Sequence, residues 1–402
     1  MSRNRRPRAV LAVAALAGVP STVLFALRNP GQVGFATDVY YAAARAALAG
    51  RDFYAVNPVG DATFQYPPAV VAAFYPHALL GDPALALALQ TLVNLAALVG
   101  LAALVVRTAE RGTGSLARVD RALLVAFVFL AGPVGVNLVM GQVNPVLALG
   151  LAGGAVALER GRDRASGAAL GATAAVKLFP ALVGVWLCRR RAWRAIAAAT
   201  ATGVGAILAG VLLFGPGATE TYVAETLSGE LSVASFPDGP DPTAPFVTVR
   251  RQLTYLAPSL SGTALLAAGL AVVAPVYAGV NRVVADPESR LVALQGTLTA
   301  TLLVFPLEPF YVVLAVFPLA PLLYRLDPGT PRTLLLAGTL LVSVPVLYES
   351  VVTLTAPLPG GISSAIRGVS RDAFAFVLPP TIGAWLVLAG CLLYQHRAAT
   401  EP

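Results

Sequence analysis

The sequence predicts an all-α polytopic membrane protein, and three observations carry that reading. Hydrophobic residues make up 57% of the 402 and charged residues only 12%; mean hydropathy is +0.75, far outside the range of soluble domains. Apolar runs of membrane length recur along the chain, and in hydrocarbon such a run satisfies its backbone polar groups as a helix. Basic residues gather in short clusters between the runs, as topology signals do. The net charge of +8 and isoelectric point near 9.8 therefore do not indicate a nucleic-acid partner.

The first element follows Arg3, Arg5, Arg6 and Arg8. The apolar run from Ala9 to Leu27 is long and lacks a clear A-x-A cleavage site, which predicts a retained helix with its N-terminus in the cytoplasm. Further spans are expected at 83–106, 121–139, 143–158, 195–214, 261–280, 291–306, 309–324, 333–352 and 373–394. Arginine clusters at Arg107 to Arg121, Arg160 to Arg164, Arg189 to Arg194, Arg282 with Arg290, Arg325 with Arg332, and at Arg397 are all cytoplasmic under two conditions. Tyr66 to Leu80 must not cross the membrane. Residues 165–187 must form a re-entrant segment that enters and leaves on the cytoplasmic side. A helix from Ala165 to Lys177 rises roughly 18 to 20 Å, over half of a ~30 Å core, before Pro180 breaks it. Residues 1–402 thus read as a single integral membrane domain with long external loops at 28–66, 215–260 and 353–372.

Those loops hold most of the acids: Asp38, Asp52, Asp61, Glu220, Glu225, Glu230, Asp238, Asp241 and Asp372, with Glu308 and Glu349 at helix ends. Chemistry is expected on the external face. The stretch from Ser228 to Pro245, rich in Pro, Asp, Ser and Gly, reads as mobile until ligand binds. Two cysteines and two histidines, all isolated, form no disulfide framework and no zinc spacing.

Lys177 is the only lysine among 28 basic residues, and it stands in an apolar stretch. An ammonium ion there either snorkels to headgroups or meets an anion such as the phosphate of a lipid, which lysine binds as a compact charge. In the first loop, Asp38 opens an alanine-rich segment ending at Gly50. It reads as an N-cap on a short helix whose Tyr41, Arg45 and Leu48 share one face, and as an exposed carboxylate available for catalysis. The loop then reaches Phe64-Gln-Tyr66-Pro67-Pro68, where paired prolines impose an extended lead-in. Gly141-Gln142-Val-Asn144-Pro145 carries two amides that either satisfy a tight turn or bind sugar hydroxyls. Glu308, in Phe305-Pro-Leu-Glu308-Pro-Phe-Tyr311, is either an interfacial acid or a cavity carboxylate.

In order, Asp38-Val-Tyr40-Tyr41, Gly50-Arg-Asp52-Phe-Tyr54, Tyr66-Pro67-Pro68, Gly141-Gln142-Val-Asn144 and Lys177-Leu-Phe-Pro180, followed by a basic cluster and Trp193, resemble glycosyltransferase family 87. The resemblance is clear over about residues 30 to 195 and weakens in the C-terminal half, where Asp241-Pro-Thr-Ala-Pro and Glu308-Pro-Phe-Tyr311 replace the usual N-Q-S and Trp/His elements. It implies a GT-C-type bundle of about ten to twelve transmembrane helices. It also implies a polyprenyl- or dolichyl-phosphate sugar donor, as in α-(1→2)-mannosyltransferases, and an external active site with a first-loop acid as base, a role that falls on Asp38. Lys177 and Arg45 are then candidates for the donor phosphate, and Tyr41, Tyr66, Gln142, Asn144 and Glu308 for sugar or acceptor. The acceptor is expected to be a cell-envelope glycolipid or glycan, with membrane lipids as the surroundings. No metal site is assigned, although Asp38 with Asp52 or Glu308 leaves a divalent cation open. No Gly-rich phosphate loop or cytosolic domain suggests a nucleotide sugar. The alternative is a secondary transporter or lipid-linked-sugar flippase, for which broken helices and an intramembrane lysine are equally suited; the chain shows no matching halves.

Overall fold

The computed structural model describes residues 4–60, 62–228, 236, 239–344 and 346–400. Arg3, Asp61, Glu230, Asp238 and most of the stretch from Ser228 to 238 lie outside the described residues. Among the described residues every regular element is a helix, and the only β contact is an isolated bridge between Val59 and Ala62. The protein is an all-α polytopic membrane protein. Among the described residues four helical runs are long and apolar enough to cross a membrane: Arg5–Arg28, Pro83–Thr113, Trp193–Leu227 and Gly262–Val280. The number is seven if each bent helix pair is one span; Arg118–Leu130 with Gly132–Met140, bent by 42°, is such a pair. Other expected spans are shorter apolar helices, Asn144–Glu159 and Pro309–Arg325 among them. The Pro68–Leu79 run rises about 18 Å, well short of a ~30 Å core.

Three expectations are corrected. Residues 353–372 are not a loop: Gly360–Phe376 is a helix, because Ile362, Ile366, Val369 and Phe376 recur at helical spacing. It bends by 45° into Pro379–Thr400, where Val377 turns extended ahead of the paired prolines. The 333–352 span is broken, since Thr330–Ser343 stops and a new helix starts at Tyr348. The 215–260 loop is partly helical. The Trp193–Thr221 helix continues beyond a kink at Gly215 (φ 82°) and Pro216, passes into the π-helical turn Tyr222–Leu227, and Arg250–Leu256 forms a further helix.

Contacts cluster into two compact units. One comprises Met1–Gly18, Ala109–Pro133 and Ser232–Pro402. In it Arg8 forks onto the buried Asp120 at 2.8 and 2.9 Å, and a capping box between Asp286 and Ser289 starts Pro287–Val304. Gly338 and Gly383 let Thr330–Ser343 approach Pro379–Thr400 closely, the packing that small residues permit between membrane helices. The buried Arg251 guanidinium donates to the carbonyl oxygens of Asp241 (2.8 Å), Ala244 and Phe374 (3.0 Å), so it ties the 241–251 segment to the last turn of Gly360–Phe376.

The other unit comprises Val19–Thr108 and Val134–Leu231. Asp163–Val176 packs on Trp193–Thr221 where Gly167 and Gly171 meet Ala195 and Ala199. At the ends of the 165–187 segment, Arg190 pairs with Glu159 at 2.6 Å and lies 4.8 Å over the Trp186 ring. The segment therefore returns to where it began.

Candidate active site

All but one of the candidate site residues belong to the second unit. The Phe35–Leu48 helix begins four residues earlier than an Asp38 N-cap requires. Gly34, left-handed at φ 76°, is its N-cap, and Asp38 sits in the first turn of the helix, where a carboxylate still meets the positive end of the helix dipole. The helix is docked at its start: Gly34 N–H donates to Val139 O at 2.9 Å and Thr37 Oγ1 to Gly141 O at 3.2 Å. Much of its circumference is buried, and Phe35, Asp38, Ala42 and Arg45 form an open stripe along it.

Asp38 is half-buried rather than exposed. Burial pushes its carboxyl above the usual carboxylate range. A carboxylate so raised is better matched to taking a proton near neutral pH than an ordinary aspartate is. Along the stripe, Arg45 is exposed and reaches Tyr41, with Nη1 3.4 Å from the phenol oxygen and its guanidinium carbon 5.6 Å from the ring centre.

The opposite side of the helix carries Tyr40, whose hydroxyl meets Tyr66 at 2.9 Å and donates to Gln142 Oε1 at 3.3 Å. Tyr40 stacks on Phe74 at 4.2 Å, and Tyr54 donates to Tyr66 O at 2.7 Å. Three sequence-distant motifs thus converge on Tyr66, and Lys177 Nζ lies over the same ring, 5.7 Å from its centre. That is the geometry of a cation–π contact. The helix carrying Lys177 ends at Val176, before the lysine, and Lys177 itself is extended (φ −129°, ψ 126°). The cause is Pro180, which has no N–H for the Val176 carbonyl and whose ring would strike it.

Beside this cluster lies an apolar groove of about 400 Å³. Its lining includes Pro67, Ala174, Leu178, Ala199, Gly203 and Val223. Tyr66 directly precedes Pro67 and Lys177 directly precedes Leu178, so each is one residue along the chain from the lining.

Asn144 is fully buried and donates to Asn137 Oδ1 at 2.8 Å, which braces the turn. Gln142 is nearly buried, its main chain tied to Asn137 O at 2.9 Å. Asp52 Oδ1 accepts from Tyr54 N at 2.9 Å, closing an Asx turn. Glu308 belongs to the first unit, where it precedes the 3₁₀ helix Pro309–Ala315. The neighbouring backbone is held by Val247, whose N–H donates to Leu307 O at 2.8 Å. Among the described residues no group of three or more His, Cys, Asp or Glu side chains gathers as a metal site.

Sequence reasoning passed over His77, Gln90 and Asn94. His77 Nε2 meets Gln90 Oε1 at 3.0 Å, Gln90 donates to Asn94 Oδ1 at 3.1 Å, and Asn94 to Gln142 O at 2.9 Å. The available signal was two amides one helical turn apart inside an apolar span.

A polytopic helical membrane protein with a partly desolvated carboxylate, and with its only lysine over a tyrosine held in a buried polar cluster, has the parts for group transfer. The model of glycosyltransferase family 87 matches residues 64–306, more than half of the chain, and the chain belongs to that family. It is a membrane glycosyltransferase, with a sugar donor and an acceptor. Tyr66, Gln142, Asn144 and Lys177 fall inside the matched residues; Asp38, Tyr41, Arg45 and Glu308 fall outside them. No curated protein matches the chain.

Proposed function

We propose that the enzyme moves a hexose, mannose in the first instance, from a polyprenyl- or dolichyl-phosphate donor to a cell-envelope glycolipid or glycan on the external face, with inversion. The observation that carries this reading is that Lys177 lies over the Tyr66 ring while their chain neighbours, Leu178 and Pro67, line the apolar groove. A lipid phosphate has that form: an apolar chain ending in an anion. The groove takes the chain by apolar burial, and Lys177 takes the phosphate as a point charge.

In the reaction the acceptor hydroxyl attacks the anomeric carbon while Asp38 takes its proton. The new C–O bond forms as the bond to the phosphate oxygen breaks, and the electron pair leaves with the lipid phosphate. Lys177 stabilises that growing charge, and Arg45 is a second, exposed cation for it. One displacement turns a β-linked mannosyl phosphate into an α-mannoside. The pairing of Glu159 with Arg190 supports a segment 165–187 that enters and leaves on one side, which puts Lys177 at its inner turn. Tyr66 orients the sugar or phosphate and Tyr41 positions Arg45. Gln142 and Asn144 support the site from the turn below, and Glu308 is assigned to the acceptor.

The test is transfer of label from radiolabelled polyprenyl-phosphate mannose to an envelope glycolipid extract by wild type, Asp38→Asn and Lys177→Ala proteins. Label moving with wild type alone is the expected result. Equal transfer by all three would overturn the site assignment. No transfer by any, across a panel of sugars and acceptors, would overturn the choice of substrates.

A further inference from the structure

The chain from His77 through Gln90 and Asn94 to Gln142 runs in one direction. Asn94 Nδ2 donates to the Gln142 main-chain oxygen, so its Oδ1 is the acceptor for Gln90 Nε2, and Gln90 Oε1 is the acceptor for His77 Nε2–H. His77, Gln90 and Asn94 are all buried, Asn94 completely. The next layer is oriented in the same way. Tyr40 gives its proton to Gln142 Oε1. Burial holds the Tyr40 phenol up at about 12, so that proton stays on. In the 2.9 Å contact between the two phenols, Tyr66 is therefore the donor. With its proton committed to Tyr40, Tyr66 can only accept from any other group that reaches its hydroxyl, and a sugar hydroxyl is such a group.

Two buried amides inside a membrane-length apolar helix cost free energy unless satisfied, and an apolar helix face would avoid that cost. We propose that His77, Gln90 and Asn94 are positioning residues for glycosyl transfer. They fix the Gln142 turn; Gln142 fixes the direction of the Tyr40 hydroxyl; Tyr40 holds Tyr66 beneath Lys177 with an accepting oxygen. Their role in turnover rests on the donor-site reading above, whereas their effect on Lys177 does not.

Because Lys177 is the only lysine, reductive ¹³C-methylation gives a single side-chain NMR signal that keeps its positive charge. In the wild type that signal is expected to be displaced by the Tyr66 ring current, and Tyr66→Leu removes the displacement. Asn94→Leu and Gln90→Met keep side-chain volume and lose the chain. Each is expected to move the signal most of the way to its Tyr66→Leu position and to raise KM for polyprenyl-phosphate mannose by roughly tenfold, the scale on which supporting residues act elsewhere. Thr91→Val, on the same helix but bonded only to Leu87 O, is expected to leave both unchanged.

An unmoved Lys177 signal in folded Asn94→Leu and Gln90→Met proteins would overturn the proposal. If those two do not fold, Tyr40→Phe, which removes one oxygen from the middle of the relay, carries the same test with the same two outcomes. Titrating wild type with polyprenyl-phosphate mannose separates the two readings. A Lys177 signal indifferent to the lipid counts against the donor site, while the ring-current comparison still decides the positioning chain.

Discussion

Asp38→Asn is expected to abolish transfer without weakening the fold, and both halves of that expectation follow from how the carboxylate is held. A positioned general base contributes about 10²- to 10⁴-fold to rate, or about 2.7 to 5.5 kcal/mol of barrier. The amide keeps the shape and loses the base, so kcat should fall by that factor. The stability side has the opposite sign from the usual acid. Burial raises the Asp38 carboxyl above its ordinary 3.8. The folded state thus holds that proton more tightly than the unfolded chain does. Ionisation consequently costs stability as the pH rises through the folded value, and the cost persists at neutral pH. The uncharged amide avoids it: the variant should unfold at the wild-type temperature or slightly above it at neutral pH. That difference should close as the pH falls below both values. Wild-type kcat/KM should fall on the acid side with a midpoint above the ordinary aspartate value. The assays are initial transfer rates and thermal unfolding in one detergent at neutral and acid pH. A variant retaining more than about a tenth of the wild-type rate, given the factor above, or one inactive only because it unfolds earlier, would refute the reasoning.

Gly141→Ala should destabilise the protein by at least about 1–2 kcal/mol, the cost of a left-handed residue. Gly141 has φ 66° and a Cβ there would run into Thr37 Oγ1, prising the Asp38 helix from the turn; thermal unfolding together with transfer rate checks it. Gly203→Phe should fold normally, because nothing lies within 4 Å of a Cβ at that position, yet it fills the apolar groove. KM for a long-chain donor should rise while that for a short-chain analogue hardly moves; equal effects on both would remove the groove from the donor site. Arg251→Ala should cost about 2–4 kcal/mol, since it removes a fully buried side chain and its hydrogen bonds to several partly buried carbonyls. Arg251→Lys should recover little of that, because an ammonium lacks the planar fork.

Much of this was legible in the residues because the physics behind it is local. Hydropathy makes helices wherever apolar runs must satisfy their own backbone in lipid. Pro180 removes a backbone hydrogen bond and crowds the Val176 carbonyl, so a weak point at Lys177 is written into Lys177-Leu-Phe-Pro180, although Pro275 stays inside a helix. The family resemblance rested on ordered motifs that are equally local. The tertiary structure decided what depends on distant groups meeting. Asp38 looked like an exposed cap; it is a half-buried residue in a helix because Gly34 and Thr37 dock on Val139 and Gly141, about a hundred positions away. Glycine-paved contacts between helices likewise follow from neighbours that no sequence window contains. Tyr40, Tyr66, Gln142 and Lys177 carry no spacing that announces their meeting, and Gln90 and Asn94 show as two polar letters in an apolar span. Only packing turns those letters into a hydrogen-bonded chain, because a buried amide takes its meaning from the partner that satisfies it.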